Sequence, residues 1–102
     1  MRLALSAAAA ALVAVQPLPA RTYTIVIDKM AFGPAPAGLR VGDTIRWVNR
    51  DIFQHSATTR DGGFDVELPA GKSGVTVLKR AGRMRIFCKY HPGMTGVLAV
   101  GR

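Results

Sequence analysis

From residue 21 onward, no stretch of this chain repeats its apolar residues at the 3.6-residue spacing of a helix. They come instead in short runs of period two, cut by Gly, Pro, Asp and Asn. Residues 22–27 read as a first strand, 39–41 as an extended piece and 44–49 as a strand that puts Ile45, Trp47 and Asn49 on one face. Residues 56–59, 74–79, 84–88 and 96–100 complete the set. Between them, 32–38 is a loop crowded with Gly and Pro, Asp61-Gly62-Gly63-Phe64-Asp65 is a turn, and 89–95 holds too much Pro and Gly for regular structure. Strands this short, at this spacing, predict an all-β fold, an antiparallel sandwich or barrel of about seven or eight strands.

The first 20 residues have a different character. Met1-Arg2 gives a positive start, 3–15 is almost wholly apolar, and Gln16-Pro17-Leu18-Pro19-Ala20 supplies turn residues and a small residue before Arg21. That is the layout of a secretory signal, with an apolar run too short to span a bilayer. We therefore expect an export leader over 1–20, cleaved near Ala20 or, as the lesser alternative, kept as an N-terminal anchor, and one domain over 21–102. Removing the first 20 of 102 residues leaves 82 and takes away only Arg2 among the charges, so 13 basic residues face 6 acidic ones. A domain of that size buries little surface and has no disulfide to help it, because Cys88 is the only cysteine.

The scarcity of ligating residues limits the chemistry. One Cys excludes multi-thiolate zinc modules, and two His exclude a three-His catalytic zinc site. Gly71-Lys72-Ser73 resembles the end of a phosphate loop, but the Gly needed five residues earlier is Val66. Asp61 to Asp65 lacks the ligand series of a calcium loop.

What remains is Cys88, His91 and Met94 in the spacing C-x2-H-x2-M, with His55 upstream, just past the Trp47 strand. A thiolate, two imidazoles and a thioether suit copper, and His2Cys with a weak axial Met makes a trigonal electron-transfer site. Zinc has little use for the thioether. An unpaired exported thiol is an oxidation liability unless something occupies it. Taken singly, Cys88 is a small core residue, either His a hydrogen-bonded side chain, and Met94 packing. Taken together, they predict a metal site.

The segments Gly42-Asp43-Thr44-Ile45-Arg46-Trp47-Val48-Asn49-Arg50-Asp51, then His55, then Phe87-Cys88-Lys89-Tyr90-His91-Pro92-Gly93-Met94-Thr95-Gly96 strongly resemble the cupredoxin (blue copper) family, and the Phe32-x-Pro34 loop fits as well. The similarity runs from 22 to 100. The two-residue gap between His91 and Met94, with Pro92 after His91, is similar to the amicyanin branch rather than to plastocyanin or pseudoazurin. The resemblance implies a Greek-key β-sandwich, one type 1 copper ion, and His55, Cys88, His91 and Met94 as its ligands. It implies a carrier of single electrons between redox proteins, such as a periplasmic dehydrogenase or a c-type cytochrome. Many members have Asn after the first His, tying the two ligand loops together; here it is Ser56, whose hydroxyl can do part of that work.

Two other readings stay open at the level of sequence: a copper-buffering or delivery protein, and a metal-free interaction module. Enzymatic catalysis is not expected, since the proposed centre uses both histidines and leaves none for a substrate-binding copper. Trp47 is read as core rather than as an electron relay. The scattered basic residues suit a soluble surface, or steering toward an acidic redox partner or an anionic membrane surface. Nucleic acid is not an expected partner, stable membrane insertion is not expected, and the domain should be a monomer.

Overall fold

The computed structural model describes residues 18–102, so most of the leader read at 1–20 lies outside the described residues. Within them are nine strands and no helix: β1 Thr22–Asp28, β2 Ala31–Phe32, β3 Leu39–Arg40, β4 Thr44–Asn49, β5 His55–Thr59, β6 Asp65–Leu68, β7 Ser73–Val77, β8 Gly82–Phe87 and β9 Thr95–Gly101. They form two sheets, ordered β2-β1-β4-β7 and β3-β9-β8-β5-β6. The inward residues of each alternating run meet between the sheets. Ile25 and Ile27 of β1, Ile45 and Trp47 of β4, Leu68 of β6, Ile86 of β8, and Leu98 and Val100 of β9 make the core. Trp47 is fully buried, edge-on to Phe32 and tilted against Phe64, as its face of β4 predicts.

The all-β sandwich is as expected, with differences in detail. There are nine strands rather than seven or eight. The loop read at 32–38 begins one residue too early, because Phe32 closes β2, a two-residue strand paired with Ile27 and Asp28 of β1. The turn read at 61–65 gives up Asp65 to β6, whose Asp65-Val66-Glu67-Leu68 alternates too briefly to stand out in the sequence. Pairing is not uniformly antiparallel: β1 lies parallel to β4, with Thr22 opposite Thr44 and Ile27 opposite Asn49, and β3 lies parallel to β9. Both parallel contacts join segments that return through other strands, a relation no local pattern encodes.

At Gly74 a side chain is excluded by packing. It pairs with Trp47 across β4 and β7, and a Cβ built there would come within 2.6 Å of Val66 Cγ1 on the opposite sheet. The missing side chain lets the two sheets close.

Candidate metal centre

Two segments build the site. The first is the crossing from β4 to β5. Asn49 ends β4 with its side chain turned into the core, and its Nδ2 donates to the carbonyls of Phe53 and Leu68, both at 2.8 Å. Its Oδ1 accepts the N–H of Asp51 at 2.9 Å. A buried amide must find such partners, and in finding them it shapes the loop 50–54. Asp51 is thereby set against the β1–β2 turn, where Lys29 and Met30 adopt the left-handed region with φ of 50° and 62°. Their N–H groups donate to the Asp51 carboxylate at 2.8 and 3.0 Å.

His55 opens β5, fully buried. Its Nε2 lies 2.7 Å from Asp51 Oδ2 and its Nδ1 lies 3.7 Å from Cys88 Sγ. A carboxylate accepts and cannot donate, so Nε2 carries the proton and Nδ1 keeps its lone pair facing the thiol. The N–H of Met30, more than any other group, holds the Asp51 carboxyl below its usual range; His55 and the N–H of Lys29 add to it, against the cost of desolvation.

The second segment is the loop after β8. Cys88, buried, follows Phe87 directly. The loop closes on itself: Cys88 N–H donates to the Met94 carbonyl at 3.0 Å and Met94 N–H to the His91 carbonyl at 3.1 Å. Gly93, at φ 86°, makes the tight return that a side chain would strain. Met94 ends the loop buried in the same core cluster as Cys88. His91 is half-buried; its Nε2 sits 2.9 Å from the Gln54 carbonyl, so it donates there and its other nitrogen is left free.

Potential ligand atoms of His55, Cys88 and His91 all lie within 4.8 Å of one another, and the two imidazole rings meet edge to face with centroids 4.8 Å apart. The sequence-predicted donors are therefore brought together from both segments, with Met94 closing the loop that carries two of them. The donor set fits copper: one soft sulfur and two imidazoles, each imidazole with one nitrogen committed to an oxygen acceptor and the other available. Outside the cluster, Phe53 is half-exposed with its ring edge-on to His91, and Ile52 beside it is 85% exposed.

Ser56 ties the segments as the sequence suggests it can. Its Oγ, fully buried, accepts the N–H of Lys89 at 2.9 Å, the residue after Cys88. The ammonium of Lys89 pairs with Asp65 and Glu67, first Glu67 and then Asp65 raising its pKa; Tyr90 donates to Glu67 at 2.6 Å. Among the described residues the acidic groups in ion pairs engage Arg80, Lys89 and His55, leaving arginines such as Arg83 and Arg85 exposed and without a carboxylate.

Asp51 is the site residue that sequence reasoning missed. A carboxylate four residues before a histidine is a common accident in a loop. Its meaning depends on the β1–β2 turn, which lies more than 20 residues away in sequence.

No family model matches the chain. Among curated proteins it is similar to amicyanin-alpha of Methylorubrum extorquens, 31% identical over 99 residues, covering 91% of this chain and 83% of that protein. It is also similar to amicyanin of Paracoccus versutus, 27% identical over 94 residues, covering 86% and 71%. Among solved structures, a reduced Cu(I) form of an amicyanin variant superposes with a TM-score of 0.69 at 24% identity, covering 78% of this chain and 81% of that one, and so shares its fold.

Proposed function

The chain belongs to the amicyanin family of cupredoxins, and on that premise we propose that it is a blue copper protein that carries single electrons between redox partners in the periplasm. The observation that carries this reading is the meeting of the only cysteine and both histidines in one cluster, His55 and Cys88 buried and His91 half-buried, with Met94 closing the loop that holds Cys88 and His91. His55, Cys88, His91 and Met94 are the proposed ligands of one type 1 copper ion.

The imidazoles of His55 and His91, the Cys88 thiolate and the weak Met94 thioether would hold copper with a ligand set that suits both of its oxidation states, and the bound ion would supply one-electron chemistry. The chain's own part is to keep that set still. Asp51 fixes the tautomer and the ring plane of His55, and the Gln54 carbonyl does the same for His91. The two backbone hydrogen bonds across 88–94 hold Cys88 against Met94. Burial of Cys88, His55 and Met94 keeps bulk water away from them.

Half-buried His91, with the Phe53 ring edge-on to it and Pro92 next in the chain, is the edge proposed to meet a partner. Candidate partners are a periplasmic dehydrogenase or a c-type cytochrome, and the excess of 13 basic over 6 acidic residues in 21–102 favours a partner with an acidic surface. In the same reading residues 1–20 are an export leader and 21–102 the working domain, acting as a monomer and not as an enzyme.

Adding Cu(II) to the purified protein tests this directly. An intense visible blue band, lost in Cys88→Ser, together with reversible one-electron voltammetry, supports the carrier. Copper binding without the band or without reversible voltammetry overturns it in favour of copper handling.

A further inference from the structure

Ser56 does more than receive one N–H, because it belongs to a closed ring. Lys89 N–H donates to Ser56 Oγ at 2.9 Å, Ser56 Oγ lies 2.8 Å from Thr58 Oγ1, and Thr58 Oγ1 donates to Asp65 Oδ1 at 2.9 Å. Asp65 Oδ2 then accepts from Lys89 Nζ at 2.9 Å, which returns the circuit to the residue where it began.

Counting protons fixes the direction of every link. An ionised carboxylate only accepts, so the single hydroxyl proton of Thr58 goes to Asp65. The Ser56 proton must therefore go to Thr58, and the remaining lone pair of Ser56 receives the Lys89 N–H. All the donors along β5 point toward Asp65, and hydrogen bonds aligned in one sense polarise each other. Ser56 is fully buried and Thr58 is 7% exposed, so neither hydroxyl can exchange its partner for water cheaply. The Asp65–Lys89 pair is half-exposed and weak by itself. Its value lies in closing the ring on Lys89, whose backbone is held by Ser56 and whose side chain is held by Asp65 together with Glu67.

We infer that Thr58 and Asp65 are positioning residues for the metal loop, clamping Lys89, and through it Cys88, by this one-directional ring. The inference rests on the reading of Cys88 as a copper ligand. It goes further by assigning two residues on β5 and β6 to the task, and by making position 56 an acceptor whose own proton is already used.

The test compares Thr58→Val, which replaces the central hydroxyl by a methyl, Thr58→Ser, which restores it, and Asp65→Ala at the half-exposed end of the ring. In the metal-free protein, amide exchange at Lys89 should quicken by about tenfold or more in Thr58→Val and Asp65→Ala and stay near the parent rate in Thr58→Ser. After loading with Cu(II), the visible band and the reduction potential should move in the first two and return in Thr58→Ser. Asp61→Ala, which cuts the exposed Asp61–Arg80 pair instead, should move none of these. Unchanged Lys89 exchange in both ring variants overturns the inference, as does faster exchange with band and potential unmoved. If Thr58→Val does not fold, Asp65→Ala decides by the same readings. If the parent protein yields no blue band, the copper reading fails, and the exchange rates alone still decide whether the ring holds the loop.

Discussion

The Asp51 carboxylate and the His55 imidazole share one hydrogen bond, 2.7 Å from Oδ2 to Nε2, and that bond decides which nitrogen of a buried ring faces Cys88. Replacing Asp51 by Asn leaves one acceptor oxygen where three donors, from Lys29, Met30 and His55, now converge on two. Loss of such an outer partner typically lowers metal affinity about 10- to 100-fold. We expect Asp51→Asn to lose copper to a competing chelator faster than the parent by that order. Equal affinity in the two proteins would remove Asp51 from the site.

A second carboxylate governs stability in acid. Asp43 is buried and accepts the backbone N–H of Arg21 at 2.9 Å and of Arg40 at 2.8 Å. These donors, Arg21 first, hold its pKa below the ordinary 3.8. A group whose pKa is depressed in the folded state stabilises the fold above its unfolded pKa, and that contribution is lost as pH falls through the folded value. Asp43→Asn should therefore be less stable than the parent near pH 7, and the gap should narrow below about pH 4. Urea melts across that range measure it; a gap that widens toward acid contradicts the assignment.

Gly74→Ala should destabilise the fold by about 1–3 kcal/mol, the usual cost of overfilling a packed core. The new methyl would sit 2.6 Å from Val66 Cγ1. Pairing it with Val66→Ala should recover much of the loss, as a double-mutant cycle would show. Additive losses would mean that the contact is not the cause.

Trp47 is buried, and its Nε1 has no hydrogen-bond partner among the described residues. Trp47→Phe removes that orphan donor along with some volume, so the net cost should stay within about 0.5–3 kcal/mol. Because Trp47 packs in the core against Phe32 and Phe64, the blue band and the rate of electron exchange should be unaltered. A large fall in exchange rate would give Trp47 the relay role that its position argues against.

How much of this could be read in the residues depends on the range of the interaction. The alternation of Ile45, Trp47 and Asn49 gives β4 its inward face, and the C-x2-H-x2-M spacing places three donors on one loop, because both are local patterns. β2 and β6 escaped because two and four residues are too few to display a period. The parallel pairing of β1 with β4, the docking of Asp51 on the β1–β2 turn and the ring through Thr58 and Asp65 are tertiary relations. They exist only once segments 7 to 33 residues apart have met.

The pairing of β5 with β8 has one more consequence. Cys88, His91 and Met94 are neighbours along the chain, whereas His55, 33 residues from Cys88, joins them from β5, the neighbour of β8 in the five-stranded sheet. A newly made or partly unfolded chain thus carries three of the four donors within seven residues, but it can acquire the fourth only when β5 has docked beside β8. Blue colour then works as a clock for folding: its appearance dates the moment β5 pairs with β8 in the five-stranded sheet, and its bleaching in denaturant marks their parting.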